Sequence, residues 1–268
     1  MPVESILAID IHGHFGRYKA AKLDLIDGFY SGEIDVVVRR AAAARIEHTF
    51  VSPLAAMFPK EGCDSLAANK DFAAKVGDYP GIFQWAVLDP RKPEAFSQVE
   101  ELLRTPKCVG IKIHPEQHEY RIKEHGEKIF AFAARHGAVV QSHSGGILSL
   151  PEDFVEFADA YPEVTLILAH IGWNPDGDLT HQVRAMGMGR HGNICADTSS
   201  SYSITSNLIE WAVREAGPER VFFGTDTPLY FAAMQRARIN SAEVSDEAKR
   251  MILRGNAERA FGAKCLSL

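Results

Sequence analysis

The chain has 268 residues, of which 46% are hydrophobic and 24% charged, with a formal net charge of −6, the composition of an ordinary globular protein. The mild acidity speaks against a broad nucleic-acid surface, no apolar stretch approaches the roughly 20 residues of a membrane helix, and Glu4 ahead of a brief apolar run is no secretory signal. Cys63, Cys108, Cys195 and Cys265 form no CxxC or zinc-knuckle pair, so they read as reduced, mostly buried thiols in a cytoplasmic protein.

Eight short apolar runs alternate with segments of helical spacing. Residues 5–11 form the first run, and a helix is predicted over 34–45, with Val37, Val38, Ala41 and Ala42 on one stripe. The run 46–51 is followed by a helix at 66–76, the run 82–88 by one at 93–104, and 109–114 by one at 122–135. Next, 138–143 precedes a helix at 151–161 and 165–170 precedes one at 179–188. The last two pairs are 193–198 with 203–216, and 221–226 with 245–261. Most runs are continuous β-branched or aromatic stretches, the pattern of buried parallel strands. Pro93 and Pro151 fit first helical turns, and Gly137 fits a helix C-terminus.

This alternation, without a linker or low-complexity tract, predicts one parallel α/β domain over 1–268. A dinucleotide-binding sheet would carry Gly-x-Gly-x-x-Gly after its first strand; His12-Gly13-His14-Phe15-Gly16 stands there instead. Eight units predict a single, compact (β/α)8 TIM barrel without a large inserted lid domain. Its active site should lie at the C-terminal strand ends.

Those ends are where the histidines gather. Of eleven, His12, His14, His114, His143 and His170 terminate apolar runs. Residues two apart on a strand share a face at about 6.5 Å separation, so His12 and His14 can converge on one ion. His48, His125, His136, His181 and His191 read as solvated or helix-end residues. Burying several imidazoles with Asp226, at the end of the eighth run, is costly unless an ion or partners satisfy them. A metal is the economical solution.

His12-Gly13-His14, His143, Ala169-His170-Ile171-Gly172 and Gly224-Thr225-Asp226 resemble the amidohydrolase superfamily. Gly110-Ile111-Lys112-Ile113-His114-Pro115 and the ending Arg254-Gly255-Asn256-Ala257-Glu258-Arg259-Ala260-Phe261-Gly262 resemble its amidohydrolase-related (amidohydrolase 2) branch. The resemblance implies a metal-dependent enzyme. His12, His14, His143 and Asp226 are then the expected ligands of one divalent transition metal. Zn²⁺ suits such a set best, Mn²⁺, Fe²⁺ and Co²⁺ stay open, and a second metal is a further option.

The same resemblance gives Asp226 a second duty as proton acceptor and donor, and places His170 at the reacting carbonyl. Lys112 and His114, two apart on one strand, are expected to bind substrate, with Lys112 able to bridge two metals if carbamylated. Asp10 is expected to orient a ligand imidazole. Arg17, Trp173, Tyr202 and Tyr230 are loop residues left outside the site. The expected reaction is hydrolysis of an amide, lactone or related bond in a small carbonyl-containing metabolite by metal-activated water. The alternative is non-oxidative decarboxylation of a small unsaturated or aromatic acid in the same site. The expected partner is a small-molecule substrate, with no nucleic acid and no membrane, and a homo-oligomer closing the short-looped pocket. A metal-dependent nuclease fits less well, since no basic phosphate-binding surface is evident.

Overall fold

Apolar strands buried on both faces have one economical closure, and the chain takes it. The computed structural model describes residues 2–21, 23–59 and 62–262. Its strands are β1 (Ala8–Phe15), β2 (Ile46–Pro53), β3 (Ile82–Val87), β4 (Cys108–Ile113), β5 (Val139–Ser142), β6 (Leu166–Leu168), β7 (Ile194–Asp197) and β8 (Val221–Phe222). They pair in parallel in chain order. The ring closes where Ile11 N donates to Phe223 O at 3.0 Å and Asp226 N to His12 O at 2.7 Å. This is the expected (β/α)8 barrel without an inserted lid domain.

The surrounding helices are α1 (Asp24–Tyr30), α2 (Ile34–Ala43), α3 (Ser65–Ala73), α4 (Pro93–Leu103), α5 (Pro115–His118) and α6 (Ile122–His136). After them come α7 (Val155–Ala160), α8 (His181–Met188), α9 (Leu208–Ala216), α10 (Ala232–Asn240), α11 (Asp246–Arg250) and α12 (Asn256–Phe261). None among the described residues is long and apolar enough to cross a membrane.

On β5 and β7 the barrel interior grades from apolar to polar. Ile9, Phe50, Trp85, Val139, Ile167 and Cys195 fill the floor, closed below by Phe261 of α12. Two residues later on the same strands, Gln141 follows Val139 and Asp197 follows Cys195, both fully buried. Gly110 admits the indole of Trp85, because a Cβ there would lie 2.6 Å from its ring. Trp85 Nε1 donates to Ile11 O at 2.8 Å, so the ring is both packed and hydrogen-bonded; truncation to alanine should cost about 3–5 kcal/mol. Among the described residues, Cys63, Cys108 and Cys195 form no disulfide, and Cys265 lies outside the described residues.

Three local expectations shift. The first strand continues to Phe15, with register breaks on either side of Ile9–Asp10, so His12 and His14 belong to the strand itself. The helix predicted over 245–261 is interrupted by a π-helical turn at Met251–Gly255. There Ile252 O accepts from Phe223 N at 3.1 Å, a carbonyl diverted from the helix to prolong β8. Finally, α10 carries no apolar stripe to predict it: Gln235 and Arg236 are buried on its inner side. Arg236 is satisfied there by the Val3 and Ile6 carbonyls at 3.1 and 2.9 Å.

Candidate metal centre

At the C-terminal rim, β1 delivers His12 and His14 beside the residue that follows β8, Asp226. Each imidazole has its Nδ1 committed. His12 Nδ1 lies 2.9 Å from Asp197 Oδ2, and His14 Nδ1 lies 2.9 Å from Ser52 Oγ and 3.2 Å from Ser52 O. A neutral ring that donates through Nδ1 keeps its lone pair on Nε2. Burial, then the nearby Lys112, holds His12 well below the usual imidazole range, hence neutral.

Both Nε2 atoms face one carboxylate oxygen: Asp226 Oδ1 is 3.1 Å from His14 Nε2 and 3.7 Å from His12 Nε2. That oxygen is buried without a hydrogen-bond partner. Three lone-pair atoms turned toward one another in a buried site leave a place that a cation would satisfy. The ligand atoms of His12, His14 and Asp226 lie within 4.8 Å of one another, so these residues fit a divalent metal. The backbone of Asp226 is left-handed, with φ 55°, a conformation uncommon outside glycine that gathers at functional sites.

A second group, His12, His170 and Asp197, is equally close, but its carboxylate is already occupied. Asp197 Oδ1 accepts from His170 N at 3.1 Å and from Ser199 N at 3.0 Å. Oδ2 takes Gln141 Nε2 at 3.0 Å besides His12. This is a hydrogen-bonded frame that aims His12. Asp197 and Ser199 were missing from the residues picked out by sequence, although Asp197 ends β7 as the histidines end theirs.

Asp10 departs from its expected part. Its carboxylate accepts from His12 N at 3.1 Å, Thr225 N at 3.0 Å and Thr225 Oγ1 at 2.6 Å, and touches no imidazole. It fastens β1 to the end of β8, and burial pushes it up to about 8. The register break after Asp10 explains why counting by twos from His12 misplaced it.

The remaining candidates line the same cavity of about 540 Å³. Lys112 is buried, its Nζ 2.9 Å from His12 Nε2 and 3.2 Å from Gln141 Oε1, and burial lowers it to about 8. His170, at φ 72°, places Nε2 3.2 Å from His143 Nδ1. His143 belongs to neither close group; it stacks on His114 with ring centroids 4.1 Å apart. Burial, then Lys112, lowers it to about 3. His114 caps α5 through Gln117 N at 3.3 Å. Tyr18, Phe58, Trp173 and Tyr230 form aromatic walls. Arg17 is paired with Asp24 at 2.9 Å and mostly exposed.

An amidohydrolase family model matches residues 9–263. No curated protein matches the sequence. Among solved structures, a 2,6-dihydroxybenzoate decarboxylase complexed with 2,6-dihydroxybenzoate superposes with TM-score 0.74 at 14% identity, covering 95% of this chain and 98% of that one. The 5-carboxyvanillate decarboxylase of Sphingomonas paucimobilis gives 0.72 at 14% identity, with 96% and 99% covered. A dihydroxybenzoic acid decarboxylase of Polaromonas, bound to manganese and the inhibitor 2-nitroresorcinol, gives 0.73 at 15% identity, with 96% and 97% covered.

Proposed function

This chain belongs to the amidohydrolase family, as its match over residues 9–263 shows, and from that premise we propose that it is a metal-dependent, non-oxidative decarboxylase of a small aromatic carboxylic acid. The carrying observation is the His12, His14 and Asp226 group at the base of a cavity walled by Tyr18, Phe58, Trp173 and Tyr230. The walls suit a flat ring, and three similar folds are decarboxylases of 2,6-dihydroxybenzoate, 5-carboxyvanillate and dihydroxybenzoic acid. This ranks decarboxylation ahead of the hydrolysis that the sequence put first.

His12, His14 and Asp226 would hold the metal, with His143 as the further imidazole; Zn²⁺ and Mn²⁺ both suit these donors, and the Polaromonas structure holds manganese. When bound, the ion supplies a Lewis acid that draws negative charge from the acid's oxygens. Lys112, buried beside His12, adds a positive charge for the carboxylate, and His170 directs a ring nitrogen into the same space. Asp226 serves as the proton carrier in this reading, and burial raises its carboxyl above the ordinary range. Passing that proton to the ring carbon that bears the carboxyl group lets the C–C bond break. Its electron pair restores the ring, CO₂ leaves, and solvent returns a proton to Asp226.

The test loads the protein with Mn²⁺ and follows CO₂ release from hydroxylated benzoic acids beside lactone and amide panels. Asp226→Asn should lower kcat by about 10²–10⁴-fold, the range of a lost general acid, while the other ligand residues stay in place. Turnover of a lactone or amide with no CO₂ from any acid would return the assignment to hydrolysis.

A further inference from the structure

Glu116, the second residue of α5, stands on the wall of the cavity, and its two oxygens have different surroundings. Oε1 accepts from Leu148 N at 2.8 Å and Ser149 Oγ at 3.0 Å, which fixes the carboxylate against the loop after β5. Gly146 is pressed against it so closely that a Cβ there would come within 2.1 Å of Oε1. Oε2 has no hydrogen bond or salt-bridge partner among the described residues. A carboxylate held by one oxygen and free at the other accepts a donor strongly and repels a second carboxylate. Glu116 and Asp226 line the same cavity, and they follow β4 and β8, which stand on opposite sides in the barrel order.

Building on the decarboxylase reading, we propose that Glu116 is a specificity-determining residue. It selects aromatic monocarboxylic acids that carry a hydrogen-bond donor, hydroxyl or amino, on the ring edge opposite Asp226. Glu116→Gln separates this role from loop anchoring. The amide oxygen still accepts from Leu148 and Ser149, while an NH₂ donor replaces the free oxygen.

The experiment compares kcat/KM of the Mn²⁺-loaded full chain for 4-amino-2-hydroxybenzoate and 4-methoxy-2-hydroxybenzoate. Calorimetry measures binding of the corresponding phenols, 3-aminophenol and 3-methoxyphenol. The wild type should favour the amino member of each pair by roughly tenfold or more, and E116Q should lower that ratio by at least roughly tenfold, the worth of one hydrogen bond to a charged group. Equal affinity of the wild type for the two phenols overturns the proposal whether or not E116Q folds. An unchanged ratio in folded E116Q overturns it even where CO₂ is released. Selective phenol binding that E116Q reverses, without CO₂ release from any acid, sustains the role of Glu116 and removes the decarboxylase reading.

Discussion

Each imidazole at the centre is defined by what its far nitrogen touches. Asp197 holds His12 Nδ1, the His170 backbone and Ser199, so it sets where His12 Nε2 points without joining the cation itself. Residues of this kind typically change metal affinity by about 10–100-fold. Asp197→Asn should therefore weaken Mn²⁺ binding to chelator-treated protein by about that factor in calorimetric titration, with the melting temperature of the metal-free protein tracked alongside. Unchanged affinity would leave Asp197 a purely structural residue. His12, His14, His170 and Asp226 were legible because reactive types interrupt apolar runs. Asp197 was not singled out, because one carboxylate ending a strand resembles many others until its partners, 27 and 185 residues away along the chain, are in place.

Loops after β5 and β6 meet at His181, the first residue of α8. Its Nδ1 lies 2.8 Å from Glu152 and its Nε2 3.0 Å from Asp176, with Asp178 at 3.9 Å. Arg184 reaches Asp178 at 3.0 Å and Glu152 at 3.8 Å. Burial pulls the His181 pKa down, but hydrogen bonds to Glu152 and Asp176 outweigh it and the net shift is upward. A histidine raised in the folded state stabilises fully below its unfolded value near 6.5, and loses that contribution as pH rises through the folded value. Melting temperatures measured across pH 6 to 8 should fall more in the wild type than in His181→Gln; parallel curves would show that the clamp contributes nothing. Sequence reading placed His181 at a helix start and left it solvated, since its acidic partners belong to two separate loops.

Across the whole molecule, the proposed metal ties the first strand to the last. His12 and His14 come from β1 and Asp226 follows β8, the seam at which the barrel closes. A ligand that binds only the folded state adds about 2.7 kcal/mol at one hundred times its Kd, or about 5–10 °C in Tm for a protein of this size. Chelation should lower the melting temperature by that order, and Mn²⁺ should restore it. A melting curve indifferent to chelator and metal would separate the cation from the seam.

Periodicity and turn residues are local, and they sufficed to count eight strand–helix units and to bring His12, His14, His170 and Asp226 to one rim. Closure is not local. Which oxygen of which acid is already filled depends on neighbours from distant strands, so only the folded barrel distinguishes the occupied Asp197 from the unpartnered Asp226 Oδ1. The same holds for Asp10, moved from an imidazole to a seam by one register break, and for Glu116, whose free oxygen exists only once Leu148 and Ser149 have taken the other.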